Sequence, residues 1–468
     1  MGTVLEKKIV RTFGESLSGE LLLPGDKGYD LGRRVWNGMI DKHPAMIAYC
    51  GDVDDAVKSV DFARTHELIT AVRSGGHNVA GNSVCDGGIV IDLSRMKGIE
   101  VNAASRVARA QAGLTWGEFD RATQARGLAT TGGIVSQTGI AGLTLGGGIG
   151  WLMRKFGVTC DNLLSVNMIT ADGRLVTASA DENQDLFWGV RGGGGNFGIV
   201  TGFEYRLHQV GPVLAGTVYY PAARARELLR FYRDYIAELP DELTTMFAYM
   251  AAPHTPALFR LLGDGPATAI HICYAGLIET GERLLRPLRD FGPPLADAVR
   301  IMPYAELQSM LDSGAPPNLQ NFWKSSYLES LSDEAIEVLA AYCEGVTSPL
   351  SQVHLQHLGG LVRRVGEDEM AFSHRDASCV LNIVTKWKDP RESEKHIKWT
   401  RDFEAAMRPY STGGVYVNFL GEEGEERVKA AYGPAKYGRL AALKSKYDPA
   451  NFFRLNQNIK PEITKPFL

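Results

Sequence analysis

Residues 73–92, Arg-Ser-Gly-Gly-His-Asn-Val-Ala-Gly-Asn-Ser-Val-Cys-Asp-Gly-Gly-Ile-Val-Ile-Asp, decide the fold. Ahead of them Ile69, Ala71 and Val72 read as a strand, and at their end Ile89-Val90-Ile91 reads as another. The interval is almost all Gly, Ser and Asn, with one Arg and one His. Glycine admits positive φ and close approach of backbone to a ligand, so successive N–H groups can converge on an anion. Arg73 at the loop mouth supplies a planar donor fork suited to phosphate. His77 supplies an imidazole able to serve as base, metal ligand or nucleophile. Strand, phosphate cradle, reactive ring and second strand describe a cofactor site. The same residues also suit a tight hairpin turn whose His caps a strand.

Working outward, residues 1–40 read as a mostly helical lead-in with a turn at Pro24-Gly25. Met46–Cys50 is a short apolar strand, and Asp52 opens a helix over 54–66 that puts Val57, Val60, Phe62 and Ala63 inward. With the strand at 68–72 this makes a small α/β unit. Downstream, 98–112 reads as two strands, and Thr115 caps a helix to about Arg126. A second glycine run, 132–150, is too Gly-rich for a stable helix and too apolar for a linker. Its expected role is to lay backbone against a flat ligand. After a strand pair at 166–169 and 175–177, residues 191–198 contain G-x-G-x-x-G at Gly193, Gly195 and Gly198. A nicotinamide site needs a helix next. Residues 199–207 alternate like a strand instead, which excludes it.

At 468 residues, two domains are the expectation. Net charge −4 and a pI near 6.2 give no reason to expect nucleic acid or an anionic membrane as partner. There are 52 glycines in 468 residues, about 11% against a usual share of about 7%. Six scattered cysteines without a C-x-x-C pair argue against zinc and for buried thiols in a reducing compartment. Residues 1–8 lack the apolar core of a secretory signal, and Glu6 spoils a myristoylation pattern at Gly2. With no span of membrane length, the expectation is a soluble cytoplasmic protein, monomer or homodimer.

Past Val210-Gly-Pro212 glycine thins, and helical stretches at 222–236, 280–288 and 332–344 alternate with strands. Glycine and aromatic motifs return at Gly413-Gly-Val-Tyr-Val-Asn-Phe419, Tyr432-Gly433 and Tyr447-Asp-Pro-Ala-Asn-Phe-Phe-Arg-Leu-Asn-Gln-Asn-Ile459.

The 73–93 loop, the 133–150 run, the 191–200 run and this closing block, in that order, resemble the berberine-bridge-enzyme-like flavoprotein oxidases. These belong to the larger vanillyl-alcohol-oxidase (PCMH-type) FAD fold. By layout the chain is similar to bacterial members of two kinds, one dehydrogenating an amine and one oxygenating a polyketide. The resemblance implies an α+β protein: an FAD domain of two α/β subdomains at 1–210 (core about 40–210), closed by 411–468. A substrate domain at 211–410 would carry an antiparallel sheet covered by helices. FAD would be held by Arg73, Ser74, Gly75, Gly76, His77, Asn78 and Ser83, by Val135, Thr138, Gly139, Gly142, Gly146, Gly147 and Gly150, by Asn162, and by Gly198, Ile199 and Val200. His77 would be bonded to a ring methyl of the flavin. Bicovalent members carry a second tether, a cysteine, where this chain has Val135, and no cysteine lies between Cys85 and Cys160. A single tether follows.

The resemblance implies oxidation of a C–OH or C–N carbon of a small organic substrate, a secondary metabolite or xenobiotic by family analogy, with dioxygen reduced to hydrogen peroxide. An oxygenase outcome and a non-catalytic flavin- or ligand-binding protein remain open alternatives. Read as a strand, 415–419 puts Tyr416 and Asn418 on one face, and the family's matching Tyr-x-Asn lies at the flavin. Tyr416 is therefore the candidate base, although a phenol titrates near pH ~10 and has to be shifted down or act in concert with hydride departure. In His354-Leu-Gln-His357, His354 and Gln356 share a face as candidate pocket residues while His357 points away. Tyr249 and Tyr327 are weaker candidates. His374, Arg375 and the lone His43, His66, His208, His254, His271 and His396 read as structural or solvated.

Overall fold

The computed structural model describes residues 5–252 and 256–462. Gly2 and His254, each singled out above, lie outside the described residues. The first sheet runs in the order Glu20–Leu22, Met46–Tyr49, Ile89–Asp92, Thr70–Arg73, and its last three strands are parallel. Parallel strands need a crossover, and the helix Val53–Thr65 provides it. Asp52 caps that helix through Asp55 N, while Ala56, Val60 and Ala63 are buried. The loop 74–88 is thus strung between two adjacent parallel strands.

The second sheet is antiparallel, ordered Ile99–Asn102, Val107–Gln111, Ile199–Arg206, Leu163–Ile169, Leu175–Ser179. The helix Trp116–Gln124 starts with a full capping box between Thr115 and Glu118. Between helix and sheet, the 132–150 run departs from expectation. It contains a short helix, Ile140–Leu145. Burial of Ile140, Ala141, Thr144 and Leu145, with Thr144 Oγ1 donating to Ile140 O, outweighs the glycine cost.

Among the described residues the largest sheet has eight antiparallel strands, all between residues 213 and 387. Its order is Ala296–Asp297, Val213–Pro221, Ala267–Tyr274, Leu243–Met250, Gln352–His357, Cys379–Trp387, Gln320–Leu328, with Arg300–Met302 also paired to Val213–Pro221. Phe247, Ile270, Leu355 and Leu381 pack on Leu228, Leu285, Ile336 and Phe403 of the helices Ala225–Ile236, Ile278–Asp290, Asp333–Glu344 and Ser393–Met407. Because the side-chain period is two, Ala248, His271, His354 and Asn382 take the opposite face. That face looks into the interior of the molecule.

After this sheet the chain returns to the first two. Val415, Val417, Val428, Leu440, Phe453 and Ile459 share a core with Met46, Ile91 and Phe203. Lys444 fastens the return: its fully buried ammonium pairs with Asp448 at 2.6 Å and donates to Asn196 O and Phe453 O. No helix of the described residues is long and apolar enough to cross a membrane, and all six cysteines are buried and free. Removing one partner of a buried pair strands the other charge, at about 3–5 kcal/mol. Asp448→Ala is therefore expected to lower the unfolding free energy by that amount in urea denaturation. A loss under about 1 kcal/mol would show that Lys444 is held without its carboxylate.

Candidate active site

A cavity of about 550 Å³ lies between the glycine loops and the inward face of the large sheet. Its floor is Ser74, Gly75, Gly76, His77, Asn78 and Ser83, then Val135, Thr138, Gly139, Gly142 and Gly146, then Gly198, Ile199 and Val200. Tyr416 and Asn418 line one wall, and His354 and Gln356 the ceiling. Most residues singled out by pattern and resemblance therefore meet in one space.

Two glycines explain how the floor closes. A Cβ on Gly75 would sit 2.4 Å from Gly139 N, and one on Gly139 would sit 2.6 Å from Gly75 N. The first and second loops thus touch backbone to backbone, which a side chain at either position forbids. Gly142 is different: a Cβ there meets nothing within 4 Å, because the position opens on the cavity.

His77 stacks on Trp36, ring centroids 5.2 Å apart and planes 19° from parallel. Trp36 is in turn fixed by its Nε1 donating to Ala315 O at 2.9 Å. Burial pushes the His77 imidazolium down to about 4. At neutral pH the ring is therefore uncharged, with a lone pair available.

Tyr416 and Asn418 are not on a strand. Tyr416 is extended, and Val417–Phe419 is a single 3₁₀ turn. The two side chains still meet, with Asn418 Nδ2 donating to Tyr416 Oη at 2.8 Å. Gly148 N and Ile149 N donate to the same oxygen at 2.9 and 3.3 Å. Contact between this turn and the glycine run accounts for the arrangement: a Cβ on Gly146 would lie 2.0 Å from Asn418 Oδ1. Burial pushes the phenol up to about 12, against the pull of Asn418 and the two backbone donors. Of the two alternatives, the downward shift is therefore not seen, which leaves proton loss in concert with hydride departure. Three N–H donors match the lone pairs of a phenolate, and burial makes that form scarce.

Four predicted cofactor contacts lie elsewhere. Arg73 is buried with its Nε on the Asp92 carboxylate and its Nη1 on Arg34 O, so the fork offered to phosphate is already occupied. Asn162 bonds Phe156 O, Val158 O and His208. Gly147 backs onto Phe372, and Gly150 onto Gly132 O. His357 points away from the cavity as expected and meets Arg154 Nη1 at 2.9 Å. Tyr249 and Tyr327 are core residues. His271, read as structural or solvated, instead lines the cavity, with Nδ1 2.8 Å from Thr217 Oγ1. Pattern reading also missed Trp36, Asn382 and Lys386. The last two carried a signal: with Val384 they fall at even spacing along Val380–Trp387, a stretch in which Thr385 is the one other polar residue.

The floor suits a ligand rich in phosphate and hydroxyl groups. Ser83 Oγ, Tyr432 Oη and Asn456 Oδ1 line the cavity, buried and without a hydrogen-bond partner. Among the described residues no group of His, Cys, Asp and Glu could hold a metal ion.

Comparison with known proteins agrees with this chemistry. A family profile described as an FAD binding domain matches residues 44–179, and one described as berberine and berberine like matches 415–460. An FAD-linked oxidoreductase of Dictyostelium discoideum is 33% identical over 97% of this chain and 97% of its own length. The (R)-6-hydroxynicotine oxidase of Paenarthrobacter nicotinovorans is 32% identical over 96% of this chain and 98% of its own. The crystal structure of 6-hydroxy-D-nicotine oxidase from Arthrobacter nicotinovorans superposes with a TM-score of 0.86 at 30% identity, covering 96% of this chain and 99% of that one.

Substitutions at the floor separate folding from cofactor binding. Gly75→Ala must push two backbones apart and is expected to cost about 1–3 kcal/mol of stability. Gly142→Ala, on a helix and facing open space, should keep or raise the melting temperature of the flavin-free chain yet lower its flavin content. Equal melting temperatures for the two variants would contradict this division.

Proposed function

Because the chain belongs to the berberine-bridge-enzyme-like family of FAD-linked oxidoreductases, we propose that it is an oxidase with singly tethered FAD. Its substrate is a small alcohol or amine, and its electron acceptor is dioxygen, yielding hydrogen peroxide. The FAD-binding unit is 1–210 with 411–468, and the substrate unit is 211–410. The amine reading is supported by the relative named for oxidising 6-hydroxynicotine. The observation that carries the proposal is Tyr416 Oη, held by three N–H donors in the same cavity as an uncharged His77.

When bound, the flavin supplies a ring system that accepts a hydride and passes two electrons to dioxygen. The floor residues Ser74 to Asn78, Thr138, Gly139 and Gly198 to Val200 offer backbone and short polar side chains to it. His77 is the residue that would hold it, through a ring nitrogen bonded to a ring methyl. The lone pair this requires is present because burial keeps the imidazole unprotonated. Val135 lies on the floor with no thiol to form a second bond.

The chain's own residues then manage the proton. Tyr416 as phenolate takes it from the substrate's O–H or N–H as hydride leaves carbon. Gly148 N, Ile149 N and Asn418 Nδ2 hold the phenolate before the transfer and the phenol after it. His354 and Gln356 on the ceiling orient the substrate from the opposite side.

Two outcomes test this. Acid-precipitated protein should stay yellow, and the His77→Ala pellet should be colourless. A wild-type pellet that loses its colour to the supernatant would contradict the tether. For the base, the phenolate fraction rises tenfold per pH unit below about 12, so kcat/KM should climb at that slope from neutral pH upward. Tyr416→Phe should flatten the profile and cost about 10²–10⁴ in kcat/KM. A flat wild-type profile would show that Tyr416 is not the base.

A further inference from the structure

The cavity ceiling holds a charge that this chemistry does not use. Lys386 is on the strand Cys379–Trp387, on the face that presents Asn382 and Val384 to the cavity. It is 4% exposed, and its Nζ donates to Gly314 O at 2.5 Å and Gln352 Oε1 at 3.3 Å. Both acceptors are neutral. The other buried cations are treated differently. Arg73 pairs with Asp92, Arg375 with Asp161, Lys436 with Glu367 and Lys444 with Asp448. Arg154 has no carboxylate, but it spreads its guanidinium over the carbonyls of Leu239, Leu243 and Leu358, outside the cavity.

Among the described residues that line the cavity there is no Asp or Glu, and Lys386 is the one Lys or Arg. An ammonium taken out of water without an anion is costly, so such a group persists where something else supplies the anion. Burial pushes Lys386 down to about 7, with no charged group opposing the shift. A bound anion would reverse it. The sheet that carries Lys386 faces the glycine loops from across the cavity, so the residue belongs to the substrate side. Its strand neighbours on that side are Gln352 and His354, which pair with Val384 and Asn382.

We propose that Lys386 seats an anionic oxygen of the substrate, as in a carboxylate, set apart from the carbon that is oxidised. This rests on the cavity being the substrate site of a flavin oxidase. It narrows the substrate to an alcohol or amine that also carries an acid group. Lys386 is then a specificity residue, one charge-assisted contact in a wall otherwise made of amides, imidazoles and apolar side chains.

The test uses the flavin-loaded protein, with benzoate and its neutral isostere benzamide titrated by calorimetry and by the visible flavin spectrum. Wild type is expected to bind benzoate at least tenfold more tightly than benzamide. At pH 8 the binding of benzoate should draw one proton from solvent onto the Lys386 amine. Lys386→Met should abolish both the preference and the uptake, leaving benzamide affinity unchanged, while Lys386→Arg keeps the preference. His271, His354 and Tyr219 are the other titratable groups of the ceiling, the phenol pushed up by burial, and uptake that survives in Lys386→Met would be theirs and would count against Lys386. At pH 6, where Lys386 is charged, the Met variant should melt no lower than wild type, since it removes an uncompensated buried charge. A yellow wild-type protein with no preference for benzoate, or a Lys386→Met protein that retains it, overturns this inference alone. A protein that takes up no flavin overturns the functional reading beneath it.

Discussion

The contact between Gly75 and Gly139 is the constraint on which the rest of the molecule depends. Two loops from different sheets meet there with no side chain between them. That meeting closes the cavity floor and sets where His77 can stand. Trp36 then fixes the ring from its other side, and burial keeps it uncharged. An uncharged imidazole thus follows from packing, burial alone lowering its affinity for a proton.

Buried ion pairs serve a second purpose, joining parts of the chain distant in sequence. Arg375 reaches Asp161 at 2.6 Å, and Lys444 ties its own helix to the third glycine run and the closing block. Lys444 is surrounded by acceptors, as a buried charge requires, and Arg375 adds Val362 O to its carboxylate. Arg73 belongs to this class: paired with Asp92, it serves the fold at the mouth of the loop. Lys386 stands apart because the side of it that faces the cavity meets no acid.

Much of this was legible in the sequence where local rules act alone. The Asp52 cap and the alternating 199–207 strand each stated their own conformation, and family resemblance joined the glycine runs into a cavity. What escaped depended on contacts between distant segments. The helix Ile140–Leu145 forms in spite of its glycines because its apolar face is buried. Tyr416 and Asn418 meet as predicted, but through a 3₁₀ turn pressed on Gly146 and not through strand alternation. Of the two routes open to Tyr416, a lowered titration or proton loss in concert with hydride departure, composition could not choose, since it cannot show that a phenol is wholly enclosed. His271 and Lys386 look like ordinary core or surface residues until the sheet turns their side chains inward.

The central claim is that His77 alone carries the flavin, and the most direct measurement is the intact mass of the denatured protein followed by peptide mapping. The expected result is one population heavier than the bare chain by a single FAD, with the added mass on the peptide containing His77. A mass equal to the bare chain, or the added mass on any other peptide, would contradict the account.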